Sequence, residues 1–126
     1  MGYEIDAYKN CRVVPIHGGE YELQYEEYKG TSWTSSTMVE ITVFFEREVE
    51  HLYMNLLPHL GDCFDTEHIE EYQLKRVEAA LHPNVCLEIA QKYNLKEKAS
   101  SDSTLAFCLE WLLEHWEKGF TVYTSY

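Results

Sequence analysis

The stretch Met38-Val39-Glu40-Ile41-Thr42-Val43-Phe44-Phe45-Glu46-Arg47-Glu48-Val49-Glu50-His51-Leu52-Tyr53 is where the hydrophobic pattern of this chain changes period. In its first half Val39, Ile41, Val43 and Phe45 fall on every second position, so an extended backbone would put them on one face. From Glu46 onward Val49, Leu52, Tyr53, Leu56 and Leu57 recur at helical spacing, with acids in the first turn, where the helix dipole favours them. The switch predicts sheet up to residue 45 and helices beyond it.

Working back towards the N-terminus, period two dominates. Tyr3-Glu4-Ile5-Asp6-Ala7 alternates, and Arg12-Val13-Val14-Pro15-Ile16 is a short strand whose proline suggests an edge. His17-Gly18-Gly19 supplies positive-φ residues for a tight hairpin turn. From Gly19 to Glu27, Tyr21, Leu23 and Tyr25 alternate with Glu20, Glu22, Gln24 and Glu26, giving an aromatic face and an acidic face. Residues 29–36, rich in small polar side chains around Trp33, read as a loop.

Working forward, Pro58 and Gly61 end the first helix, and Asp65 or Thr66 opens a second that runs to Leu81. Asn84 is placed to cap a third helix through Val85, Ile89 and Tyr93, and residues 96–101 form a connector. Asp102 or Ser103 caps the last helix, which carries Leu105, Leu109, Leu112 and Trp116 on one face. Gly119 suits its left-handed C-terminal position, and residues 120–126 read as a closing strand. The expected fold is α+β: an N-terminal antiparallel sheet over residues 2–45, three to four helices, and a short C-terminal strand, all in one domain spanning 1–126.

Composition narrows the function classes. Twenty-two Asp and Glu face ten Lys and Arg, for a formal charge of −12, yet 45% of residues are hydrophobic and ten are tyrosine. An acidic chain short of apolar residues would stay disordered, whereas this one has material for a core and carries its charge outside. Such a surface repels nucleic acids and anionic membranes and attracts basic proteins. Direct nucleic-acid binding and membrane association are therefore not expected. The N-terminal residues resemble no signal or transit peptide, and Asp6 stands where a myristoylation motif wants Ser or Thr. Cys11, Cys63, Cys86 and Cys108 are dispersed, as expected of free thiols in a reduced cytoplasmic protein.

Several groups of residues have types that could carry chemistry. His51, His59, Cys63 and His68 are zinc-ligand types, but His51 and His59 would stand about 12 Å apart on a continuous helix. No metal or other cofactor is expected, with His59, Cys63 and His68 the weak alternative. Carboxylate pairs such as Glu46 with Glu50 and Glu67 with Glu71 have the i, i+4 spacing of a solvated helix face. No phosphate loop, zinc-protease helix or nucleophile elbow is present. The last helix adds a second apolar ridge, Phe107, Trp111 and His115, which fits a central core helix or the contact of a homodimer.

The acidic strand face is the better candidate, because alternate carboxylates about 6.8 Å apart form a regular negative row. A solvated face that discourages edge-to-edge aggregation would look the same. The partner-binding residues expected are Glu20, Glu22, Glu26, Glu27 and Tyr28, with Trp33 as the desolvated anchor or, alternatively, a lid on the core. In general character, though in no particular motif, the chain resembles small bacterial and phage proteins that neutralise another macromolecule, such as immunity proteins and inhibitors of host defence. The expected function is that of a binding protein for a basic macromolecular partner. A sequestering protein for a small or nucleotide-like ligand is the alternative, and an enzyme of unrecognised class the second.

Overall fold

The computed structural model describes residues 2–15, 21–49 and 82–125. Strand β1 (Gly2–Lys9) runs between β4 (Glu27–Thr34) and β5 (Phe120–Ser125) in a three-stranded antiparallel sheet ordered β4-β1-β5. Ile5 lies opposite Thr31 and Thr124, and Ala7 opposite Lys29 and Val122, so these residues share one face. Asp6, opposite Gly30 and Tyr123, belongs to the other. Strands β2 (Arg12–Pro15) and β3 (Tyr21–Gln24) form a separate antiparallel ribbon with Pro15 at its end, and the expected turn at His17-Gly18-Gly19 lies outside the described residues.

The largest departure from the sequence reading is α1 (Ser35–Glu48), a helix where a loop and a strand were expected. Met38, Ile41, Phe44, Phe45 and Val49 are buried, at spacings of three and four, while Val39 is 62% and Val43 49% exposed. The stretch supports both periods, because Ile41 and Phe45 are common to each. Its β-branched residues favour a strand only weakly, and the helical face buries Met38 and Phe44 as well, so tertiary packing decides. Thr34 fixes the start: its Oγ1 accepts from the Thr37 N–H at 3.2 Å. The polar residues before it extend β4 rather than forming a loop.

Helices α2 (Pro83–Lys92), α3 (Leu95–Ala99) and α4 (Ser103–Glu117) follow, while the helices expected over residues 50–81 lie outside the described residues. His82, not Asn84, caps α2: its Nδ1 accepts from the Asn84 N–H at 3.2 Å, and Pro83 takes the first helical position, where no N–H is needed. Asn94, left-handed at φ 53°, turns the chain into α3, which occupies most of the expected connector. Asp102 caps α4 by accepting from Thr104 and Leu105, and Gly119 at φ 87° ends it, both as expected.

Helix α4 is the central helix, packing against α1, α2, α3 and β5 through buried Cys108, Leu109, Leu112 and Trp116. The core takes residues from β1, β4, β5 and all four of these helices. The architecture is α+β, and no helix among the described residues is long and apolar enough to cross a membrane.

The period of α1 is directly testable by chemical denaturation. Ile41→Ala should cost about 2–5 kcal/mol, as a buried aliphatic truncation does. Val43→Ala should stay within about 0.5 kcal/mol of wild type, being a surface change. Similar losses from both would restore the strand reading.

Candidate functional site

Alternation along β1 gives the sheet two unlike faces. The face packed on the helices holds Ile5, Ala7, Trp33, Phe120 and Val122. The second face holds Glu4, Asp6 and Tyr8 from β1, Tyr28 and Gly30 from β4, and Tyr123 from β5. Tyr8 lies at the middle of an aromatic group, with ring centroids 4.9 Å from Tyr25, 5.4 Å from Tyr28 and 6.2 Å from Tyr123. Tyr123 is buried, whereas Tyr25 and Tyr28 are 50% and 46% exposed.

Asp6 is only 7% exposed, and the Tyr28 hydroxyl donates to its Oδ1 at 2.6 Å. A carboxylate this far from water requires such donors. The contact depends on Gly30: a Cβ there would stand 2.5 Å from the Tyr28 hydroxyl oxygen and 3.0 Å from Cζ. The ring therefore crosses the strand over the one residue without a side chain. Commitment of its hydroxyl to Asp6, then burial and the Asp6 charge, push Tyr28 up to about 12. Burial, followed by the charge of Asp6, raises Tyr8 to about 12 as well. With its hydroxyl bonded to Asp6 and its ring over Gly30, Tyr28 is locked in place by geometry.

Asn10 holds the adjoining end of the sheet. At φ 50° its N–H donates to the Gly119 carbonyl at 3.2 Å, and its Nδ2 donates to Glu26 Oε2 at 2.8 Å. The Glu26 N–H in turn donates to the Lys9 carbonyl at 3.0 Å. The chain bends at Tyr25–Glu26 between β3 and β4, so the expected continuous strand over residues 19–27, with its regular acidic row, is broken there. Glu22 stays on the ribbon, Glu26 turns to Asn10, and Glu27 lies 3.5 Å from Lys29. All three carboxylates are exposed, and Glu20 lies outside the described residues.

Of the other expected positions, Trp33 is 5% exposed and edge-on to Trp111, with centroids 6.2 Å apart, so it packs as a lid on the core and its remaining surface lines the groove beside Phe107. Trp111 also stacks on His115 at 3.8 Å, while Phe107 remains 66% exposed, so the second ridge of α4 divides between interior and surface. Phe107 borders a groove of about 340 Å³ where the first turns of α1 and α4 meet, lined also by Thr34, Thr37, Ser103 and Thr104. Amides of both turns are already engaged by Thr34 and Asp102. Cys86 and Cys108 are free thiols. Burial pushes Cys86 up to about 12 and Cys108 up to about 11, which makes both inert. No group of three or more His, Cys, Asp or Glu among the described residues could hold a metal; His51, His59, Cys63 and His68 lie outside them.

Sequence reasoning placed Tyr28 in the site but missed Asp6, Tyr8 and Gly30. The alternation of Glu4, Asp6 and Tyr8 was visible; what brings them to Tyr28 is the register of β1 on β4. Comparison of the chain with protein-family models, with curated proteins and with solved structures found no match.

The raised phenols carry a pH signature. Tyrosines of the unfolded chain ionise near 10, whereas Tyr8 and Tyr28 in the fold are pushed up to about 12. Between these values the unfolded state has shed protons that the folded state keeps, so stability should fall as pH rises from about 10 to about 12. Spectrophotometric titration of phenolate should show a late-ionising group that Asp6→Asn advances. Ionisation of every tyrosine near 10 in the folded protein would contradict the lock.

Proposed function

We propose that this protein binds a basic macromolecular partner, in the manner of an immunity or anti-defence inhibitor, through the bend between β3 and β4 and the adjoining second face of the sheet. One observation carries the reading. Tyr25 and Tyr28 are about half exposed, Tyr28 tied through its hydroxyl to Asp6 and Tyr25 packed on the Tyr8 ring, with the exposed carboxylates Glu22, Glu26 and Glu27 close to them in the chain. Tyrosine supplies large contact area at little entropic cost and is enriched in the centres of interfaces, while surrounding carboxylates steer a cationic partner and set association rate.

The charge of −12 favours a basic protein and opposes nucleic acid in this role. Trp33 belongs to the core, so the anchoring contribution falls to Tyr25 and Tyr28. The dispersed cysteines, with Cys86 and Cys108 free thiols among the described residues, suit the reduced interior of a cell, where we place this activity.

Affinity capture from the source cells, with mass spectrometry and association kinetics on the captured species, tests the proposal. A stoichiometric basic protein is expected, associating more slowly as salt rises. Glu22→Lys combined with Glu27→Lys should slow association about tenfold or more and flatten its salt dependence. Recovery of a small ultraviolet-absorbing molecule without a basic protein would contradict it.

A further inference from the structure

Tyr28 is held more firmly than a general contact residue needs to be. Its hydroxyl is fixed to Asp6 at 2.6 Å, its ring passes over Gly30, and Tyr8 stands beside it at 5.4 Å, tilted by 46°. Three neighbours thus fix one aromatic plane, and nearly half of the residue still meets solvent. Glu4, exposed, lies on the same face one alternate position beyond Asp6, roughly 7 Å along β1 on the side towards which the phenol points.

We propose that Tyr28, kept flat by Asp6 and Gly30, is a stacking plate for an arginine side chain of the basic partner, with Glu4 as the carboxylate that receives the guanidinium N–H groups. The inference rests on the functional reading above and sharpens it from a cationic partner to one that presents arginine. A guanidinium is planar and weakly hydrated, so it stacks on an aromatic face while its edge donates a fork of hydrogen bonds to a carboxylate. A lysine ammonium is a compact, strongly hydrated charge that gains less from a flat plate. Asp6 and Gly30 act as positioning residues. Asp6 pins the phenol, and the missing Cβ at Gly30 lets the ring lie down across the strand. Without either, Tyr28 is a rotating side chain that must lose conformational freedom on binding, and part of the advantage of a preset plate goes with it.

Fluorescence-anisotropy titration of the wild-type protein with nona-arginine and nona-lysine peptides of equal charge separates stacking from charge. Nona-arginine should bind about two- to fivefold more tightly at the same salt concentration. Tyr28→Leu and Gly30→Ala should each bring the ratio towards one, whereas Glu22→Lys should weaken both peptides and leave the ratio in place. The wild-type ratio tests the arginine preference without any variant, and Tyr28→Leu and Gly30→Ala are compared once their circular dichroism matches that of the wild type, with the conservative Tyr28→Phe, which keeps the ring, expected to retain more of the preference than Tyr28→Leu. Equal binding of the two peptides would overturn the arginine plate and leave the acidic-surface reading standing. An arginine preference that persists in Tyr28→Leu would overturn the assignment to this residue. Failure of both peptides to bind at low salt would overturn the plate and the functional reading together.

Discussion

Everything in this structure depends on β1 being the middle strand. Flanked by β4 and β5, it meets the main requirement of a buried strand, that its backbone N–H and C=O groups find partners without water. Because its side chains alternate, that position forces a division. Ile5 and Ala7 are fully buried against the helices, and the residues between and beside them must face the other way. A one-residue slip of register would exchange the two sets and put Asp6 into the apolar core, so the pairing is strongly specified. Helix α4 then completes the helical side, bringing Leu109, Leu112 and Trp116 into the core and returning the chain through Gly119 into β5.

The second face has a different logic. Among the described residues it is organised around a buried carboxylate. Asp6 at 7% exposure is stabilised by the Tyr28 phenol, and the phenol reaches it only because Gly30 lies between them. A hydrogen bond to a charged group contributes more than a neutral one, about 1.5–3 kcal/mol, but its larger effect here is geometric. It sets the plane of one tyrosine, and Tyr8 carries that order on to Tyr25 and Tyr123. Asn10 then ties this cluster to the bend at Glu26 through its side-chain amide and backbone N–H, so tyrosines and carboxylates occur together at this end of the sheet.

How much of this could be read in the chain varies with the range of the interaction responsible. The α+β class, the alternation of β1, the Asp102 cap, the Gly119 terminus and the closing strand follow from residues within a few positions of one another. The stretch from Met38 to Phe45 misled because Ile41 and Phe45 satisfy periods of two and of four, and only burial of Met38 and Phe44 against the rest of the molecule selects the helix. Trp33 stood among polar residues that look like a loop, yet it is the one buried position of β4. The acidic and aromatic residues near the β3–β4 bend were legible as surface. The Asp6–Tyr28 lock was not, because its partners are 22 positions apart and meet only through strand register.

The proposed docking face for a basic partner is the second face of the sheet, organised by Asp6 and Tyr28. Backbone amide NMR shifts during titration with an arginine-rich peptide test it most directly, since every exposed region is observed at once. The account predicts perturbations concentrated at Glu4, Tyr8, Tyr25, Tyr28 and Gly30, fading with added salt. Perturbations centred instead on Phe107 and the first turn of α4, or spread evenly over the acidic surface, would contradict it.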